Sequence, residues 1–293
     1  MEQVATILAH TGHVTTVRFT PDGHTLLSAG MDATLKAWGA PSWKLCATLE
    51  GHAKSVNALS LSADGATLAS GSTDRTVRIW DLGTRTERAA IEAPRDSVSA
   101  VLLSPDARVV AWSSYDGRTA LHTLPAGDEI VRLQDPPRRV VAMALCCENE
   151  VLAVAGQGED VVLYAFPSGE PIRRLPSHTS AVTGLALSPD GETLATTDYA
   201  GMLRLWSTNG WALCGALDLG SSGMSPLAYA PDGHHLAVGS AHRIDIVSVD
   251  DGLAVRETLA VKPKGVYSIA YAPDGRWLAM GAADKRVRVW DCS

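Results

Sequence analysis

Aromatic residues, cysteines and long apolar runs are all scarce in this chain, and each scarcity excludes a class of protein. Aromatic residues make up only 5% of the 293 residues. No apolar stretch approaches the roughly 18 residues that a transmembrane helix needs. The first ten residues lack the basic start and apolar centre of a signal peptide. We therefore expect neither membrane association nor secretion.

The few cysteines argue against a disulfide framework. They are Cys46, Cys146, Cys147, Cys214 and Cys292. Their number is odd and their spacing is not that of a zinc site, so reduced thiols in a cytoplasmic protein are expected. The adjacent Cys146 and Cys147 leave a redox pair open, but we favour two buried thiols at a strand end.

Basic residues are also outnumbered by acidic ones. The chain contains 25 Lys and Arg against 32 Asp and Glu, which gives a formal net charge of −7. An acidic protein repels the phosphate backbone. Binding to nucleic acid is therefore not expected.

An internal repeat runs through the whole sequence. A Pro-Asp-Gly-like turn recurs every 42 residues, as the step from Asp22 to Asp64 shows. The acidic position of this turn contains Asp22, Asp64, Asp106, Glu148, Asp190, Asp232 and Asp274. A second column contains Trp38, Trp80, His122, Tyr164, Trp206, Ser248 and Trp290. Seven registered copies without an insertion establish the repeat.

Each repeat predicts four short strands. Apolar and polar residues alternate over segments that end near Phe19 and that lie around 26–28, 35–38 and 46–49, with turns between them. Four antiparallel strands in about 40–45 residues are typical of a propeller blade. We therefore predict an all-β chain in which residues 1–293 form a single seven-bladed β-propeller, with seven units of 42 residues.

The second repeat resembles the WD-repeat family. Its matching motifs are Gly51-His52, the segment 70–74 (Ser-Gly-Ser-Thr-Asp) and Trp80-Asp81, and the likeness extends over the whole chain. The resemblance implies a hydrogen-bonded set of Asp, His, Ser and Trp inside a blade. These sets are Asp74, His52, Ser70 and Trp80 in the second unit, and Asp32, His10, Ser28 and Trp38 in the first. It also implies that residues 3–8 supply the outer strand of the last blade.

Other units depart from this pattern. The fifth keeps His178, Thr196 and Trp206 but has Ala200 where the Asp is expected. The remaining units differ more: the seventh has Asp284 and Trp290 with Lys262 and Met280, the third has only Asp116, and the fourth and sixth have no member of the set. We expect these blades to depend on apolar packing.

The predicted channel offers little for catalysis. The innermost strands are VTTVRF, VNALSL, VSAVLL, VVAMAL, VTGLAL, MSPLAY and VYSIAY, and Arg18 is their one charged residue. A metal cage or an acid–base pair cannot be built from them. We expect no metal, no cofactor and no enzymatic activity, and a propeller hydrolase is the least favoured alternative.

One face of the disc is the predicted binding surface. The loops before the first strand and between the second and third strands differ most between units. They contribute Tyr and Arg, which are enriched at binding hot spots. The candidate residues are Tyr115, Tyr199, Tyr267, Arg139, Arg138 and Arg95. The sequence predicts a monomeric platform for protein or peptide partners. Two alternatives stay open: a binder of small molecules or modified residues on the same rim, and a basic partner on the opposite face.

Overall fold

The chain folds into seven four-stranded antiparallel sheets, as a computed structural model shows. The structure describes residues 1–92, 95–176, 178–250, 252–261 and 265–293. Lys262, which the sequence placed in the seventh unit's polar set, lies outside the described residues. All elements in the described ranges are strands, and no helix there could span a membrane.

The strands follow the 42-residue repeat. The first is β1 (Glu2–Leu8). Blades 1 to 3 contain β2 (Val14–Phe19), β3 (Thr25–Gly30), β4 (Leu35–Gly39), β5 (Lys44–Leu49), β6 (Val56–Leu61), β7 (Thr67–Ser72), β8 (Thr76–Asp81), β9 (Thr86–Glu92), β10 (Val98–Leu103), β11 (Val109–Ser114), β12 (Thr119–Thr123) and β13 (Glu129–Arg132). Blades 4 and 5 contain β14 (Arg138–Cys146), β15 (Val151–Gln157), β16 (Asp160–Ala165), β17 (Pro171–Pro176), β18 (Val182–Leu187), β19 (Thr193–Asp198), β20 (Met202–Ser207) and β21 (Leu213–Asp218). Blades 6 and 7 contain β22 (Leu227–Tyr229), β23 (His235–Gly239), β24 (Arg243–Ser248), β25 (Ala254–Ala260), β26 (Val266–Tyr271), β27 (Trp277–Ala282) and β28 (Arg286–Asp291).

The N-terminal strand completes the last blade, which confirms the prediction from the sequence. The order of that sheet is β1-β28-β27-β26, and Ile7 lies opposite Val287 in the ladder. Ala5 and Ile7 pack against the apolar cluster that joins blades 7 and 1. Because β1 pairs with the last strand of the chain, the ring is closed by hydrogen bonds between its two ends.

Apolar packing between neighbouring blades forms the core. Leu35 and Leu49 of blade 1, for example, share a cluster with Val56 and Trp80 of blade 2. Each sheet is too thin to bury its own faces, so a blade is stabilised by the blade beside it. This arrangement makes the ring, rather than the single blade, the unit of stability.

The innermost strands are irregular at their second residue. The ladder between β2 and β3 shifts register between Val14 and Thr16, and equivalent shifts occur in five of the other blades. The sixth blade differs, because its innermost strand covers only Leu227–Tyr229. The prediction of a six-residue strand there was wrong, since Pro226 has no N–H to donate to a ladder.

Candidate functional site

Buried polar sets join loops to strands in blades 1 and 2. In blade 1, His10 Nδ1 lies 2.9 Å from Asp32 Oδ1, and His10 Nε2 lies 2.8 Å from Ser28 Oγ. Trp38 donates its indole N–H to the same hydroxyl at 2.9 Å. We assign His10 the tautomer protonated at Nδ1. Its Nδ1–H then donates to Asp32, and its Nε2 accepts the hydroxyl proton of Ser28.

The second blade repeats this geometry closely. His52 lies 2.8 Å from Asp74 Oδ2 and 2.7 Å from Ser70 Oγ, and Trp80 Nε1 lies 2.8 Å from Ser70 Oγ. The side chains of both histidines are fully buried. The sets therefore hold blade loops in place and present no reactive group to solvent.

Burial and hydrogen bonding set the charge of these groups. Burial lowers the pKa of His10 and His52, and their Asp partners offset it only in part. Burial also opposes ionisation of Asp32 and Asp74, but hydrogen bonds outweigh it and lower the pKa of both carboxyl groups to about 2. The stable state at neutral pH is therefore neutral His beside ionised Asp.

The fifth blade has a polar set that the sequence prediction missed. His178 Nδ1 lies 2.9 Å from Asp198 Oδ2, and Thr196 bonds both His178 and Trp206. Asp198 lies at the end of β19, two residues before Ala200, so the expected absence of an acid in this blade was wrong. Arg204 approaches the same carboxylate at 3.4 Å.

The other blades use different polar partners. In the seventh, Arg288 pairs with Asp284 at 2.5 Å. In the sixth, the buried Asp245 accepts hydrogen bonds from Arg243 and Thr258, each at 2.8 Å. The Thr258–Asp245 bond joins β25 to β24, and the Arg288–Asp284 pair joins β28 to the turn before it, where apolar packing alone was expected.

The third and fourth blades lack a tryptophan at the position of Trp38 and Trp80, and each buries a different aromatic side chain. In the third, Trp112 of β11 is buried against His122, which stands at the usual Trp position. Trp112 Nε1 has no hydrogen-bond partner among the described residues. In the fourth, Tyr164 donates to Gln134 O at 2.9 Å.

The tyrosines predicted for binding lie on one face, which we call the rim face. It carries the loops before the innermost strands and between the second and third strands of each blade. Tyr115 is 42% exposed and Tyr199 is 54% exposed. Their backbone N–H groups donate to Ser97 O at 3.0 Å and to Ala181 O at 2.8 Å. These bonds tie each tyrosine to the loop that precedes the innermost strand of its own blade.

Two rim contacts involve the predicted residues. The Arg139 guanidinium lies 5.6 Å from the centre of the Tyr115 ring, a cation–π distance. Tyr267, 37% exposed, stacks on His13 at 5.7 Å. Arg138 and Arg139 begin β14 and were expected in a loop, whereas Arg95 is an exposed loop residue.

Sequence reasoning missed two exposed methionines on this face. Met31 is 51% exposed and Met224 is 45% exposed. Met31 occupies the same repeat position as Tyr115 and Tyr199, so a search of that column could have found it. Gly223 N donates to Tyr199 O at 2.9 Å, which places the loop containing Met224 against Tyr199.

A comparison with protein-family models decides the family. The model described as "WD domain, G-beta repeat" matches residues 1–39, 43–81, 169–207 and 256–291. The chain belongs to the WD-repeat family. The matched segments include the first three strands of the three blades with a His-containing polar set and of the blade with the Arg288–Asp284 pair. No curated protein matches the chain.

The opposite face of this WD-repeat propeller carries the turn carboxylates. Asp22 Oδ1 accepts hydrogen bonds from Thr20 Oγ1 and from the backbone N–H of His24. The same arrangement holds Asp64, Asp106 and Asp190. These bonds lower the pKa of the carboxyl groups and shape the turns.

The central channel has a volume of about 170 Å³ and is lined by all seven innermost strands. Several of its polar groups bind the next blade: Thr15 Oγ1 donates to Val56 O at 2.5 Å, and Asn57 Nδ2 donates to Val98 O at 2.8 Å. No group of three His, Cys, Asp or Glu side chains suited to a metal occurs in the described ranges.

The adjacent cysteines are poorly suited to redox chemistry. All five cysteines are free, Cys146 is buried and Cys147 is half-buried. Burial raises the pKa of Cys146 to about 12 and also raises that of Cys147. The thiolate is the reactive form of cysteine, and a raised pKa keeps both residues as thiols at neutral pH. Their environments therefore disfavour thiol–disulfide exchange.

Proposed function

We propose that this WD-repeat propeller is a non-enzymatic platform that binds protein or peptide partners on its rim face. The single observation that supports this most is the pair of exposed tyrosines, Tyr115 and Tyr199, held on hydrogen-bonded backbone on the same face. A rigid tyrosine adds apolar contact area at little cost in conformational entropy. Arg139, beside Tyr115, adds directional hydrogen-bond donors.

Among the described residues, the exposed aromatic side chains, Tyr115, Tyr199 and Tyr267, all lie on the rim face. Exposed apolar residues also occur on the outer strands, as with Leu45 and Leu213, but there they project singly from the strand. On the rim face Tyr199 has the loop of Met224 against it, and Tyr115 has Arg139 over its ring. Such grouping is typical of a binding hot spot.

We propose that the protein is a cytoplasmic monomer that works by holding other proteins together. A binder of small molecules or modified residues on the same tyrosines is the second candidate, and the Arg139–Tyr115 pair is the observation that favours it. A ligand screen by thermal shift separates the two candidates. We expect no small-molecule hit whose effect is abolished by Tyr115→Ala.

Affinity capture with quantitative mass spectrometry tests the platform. The bait proteins are the wild type, a Tyr115→Ala/Tyr199→Ala double variant, and a Leu45→Ala/Leu213→Ala control of similar exposure. We expect a set of proteins that the rim variant loses and the control retains, with equal melting temperatures. Equal captured sets contradict the proposal. So does a loss confined to Asp64→Asn/Asp190→Asn, which removes charge from the opposite face.

A further inference from the structure

Arg18 is an exception within the central channel. It occupies the fifth position of β2, and the equivalent residues of the other blades are Ser60, Leu102, Ala144, Ala186, Ala228 and Ala270. Four of the six are alanine, so the fold needs only a small side chain at this level. Ala, Ser or Leu suffices at this level in every other blade, so folding alone gives no reason for a long cationic side chain in blade 1.

The Arg18 guanidinium has no counter-charge within the described part of the chain. Its one hydrogen bond there runs from Nη1 to the carbonyl oxygen of Val17, at 3.0 Å. The side chain is accessible to solvent inside the channel, while the seven strands surround it. This enclosure lowers the pKa of the guanidinium, which stays charged at neutral pH.

The channel that contains Arg18 has neutral polar side chains at its other end. The channel is lined by Thr15, Asn57, Ser99 and Thr183 from the other end of the innermost strands, and these residues and Arg18 line one continuous cavity. Among the described residues, no Asp or Glu lines the cavity. A cation in a confined space attracts an anion more strongly than the same cation on an open surface, because water screens it less.

We propose that Arg18 forms a carboxylate-binding subsite inside the central channel. The planar fork of the guanidinium matches the two oxygens of a carboxylate. A cavity of about 170 Å³ admits a small carboxylate or the end of one acidic side chain, and it is too small for a cofactor. The carboxylate is either that of a free metabolite-sized acid or that of a partner's Glu or Asp side chain. The subsite does not depend on the proposed rim-face function.

Side-chain NMR of arginine tests the subsite directly. The ¹⁵Nε–¹Hε signal of Arg18 is assigned by its loss in Arg18→Met, and exposed Arg173 on β17, assigned by Arg173→Met, serves as the reference signal. Wild-type protein is titrated at constant ionic strength with sodium acetate, with N-acetyl-glutamate amide, with sodium phosphate and with sodium chloride. We expect a saturable shift of the Arg18 signal with acetate or with the glutamate derivative, and none at Arg173.

The outcomes of the titration test whether the subsite exists and which kind of carboxylate it binds. Tighter saturation by acetate than by the glutamate derivative favours a small free acid as the source, and tighter saturation by the glutamate derivative favours a partner's side chain. A shift at Arg18 no larger than that at Arg173, or one produced by phosphate or chloride alone, overturns the proposal. A thermal-shift measurement adds a second readout: the rise in melting temperature produced by the active carboxylate should disappear in Arg18→Met and weaken in Arg18→Lys.

Discussion

His178 Nδ1 lies 2.9 Å from Asp198 Oδ2, and both side chains are completely buried. The fifth blade thus takes its carboxylate from the end of β19 instead of from the turn that follows the strand. Asp198 also accepts hydrogen bonds from the backbone N–H groups of Ala200 and Met202, each at 3.0 Å. One carboxylate therefore fixes the turn, the histidine and Arg204 together.

Asp198→Ala should destabilise the protein strongly. The change leaves His178 and Arg204 without their carboxylate in a buried site, and breaking a buried pair costs about 3–5 kcal/mol. Chemical denaturation monitored by tryptophan fluorescence measures the free energy of unfolding. The control is Asp128→Ala on an exposed loop, which should change it by less than about 0.5 kcal/mol. Equal costs for the two variants would mean that the Asp198 set contributes nothing.

Stability should fall as the pH is lowered from neutral. The pKa values of His10, His52 and His178 are lowered in the folded state from 6.5. Below pH 6.5 the unfolded chain therefore binds protons that the folded protein does not, and the free energy of unfolding decreases. Asp32 and Asp74, with pKa values of about 2, add a second loss between about pH 4 and pH 2.

Melting temperatures between pH 7.5 and pH 5 measure the histidine part of this effect. His52→Gln should reduce the pH dependence, because it removes one of the three titrating groups. Ser42→Ala, at an exposed turn, removes no titrating group and should leave the pH dependence unchanged. A melting temperature that increases as the pH is lowered from 6.5 to 5 would contradict the predicted loss of stability.

Two buried tryptophans should respond differently to the same substitution. Trp80 donates a hydrogen bond to Ser70 at 2.8 Å, whereas Trp112 Nε1 has no partner among the described residues. Both side chains are almost fully buried, so Trp→Phe removes similar volume from each site. Trp80→Phe should cost at least about 1 kcal/mol more than Trp112→Phe. Urea titration gives both values, and a larger cost at Trp112 contradicts the prediction.

Closure of the ring predicts a difference between two positions of β1. Ile7 packs against the cluster between blades 7 and 1, while Val4 is 44% exposed at an irregularity in the ladder. Ile7→Asp places a charge against the core and should lower the melting temperature by about 10 °C, if it costs about 3–4 kcal/mol. Val4→Asp should change it little, and similar effects from both would argue against closure by this strand.

The repeat made most of the fold predictable. Columns in fixed register locate each strand and place residues 3–8 in the last blade, because every blade has the same geometry and only one edge lacks a strand. That residues 1–293 constitute a single domain stays a prediction. The short β22 was not predicted. Comparing equivalent positions of the seven repeats does not show that Pro226 removes a hydrogen bond from one ladder.

The polar sets were less predictable than the strands. The position of Asp198 is filled by Gly30 and Ser72 in the first two blades, so the column pattern gave no sign that its side chain can reach His178. The Arg243–Asp245 pair lies two positions apart on a strand, where both side chains share a face. That spacing is a usable signal, although whether the face is buried depends on the neighbouring blade.

Site-specific photo-crosslinking tests the central claim, binding on the rim face, most directly. A benzophenone amino acid replaces Tyr199 on the rim face or Leu213 on the outer strand β21, which is 49% exposed against 54% for Tyr199. Irradiation in cells of the source organism and mass spectrometry then identify the adducts. The account predicts specific protein adducts from position 199 that position 213 does not give. Adducts from position 213 with none from position 199 would contradict it.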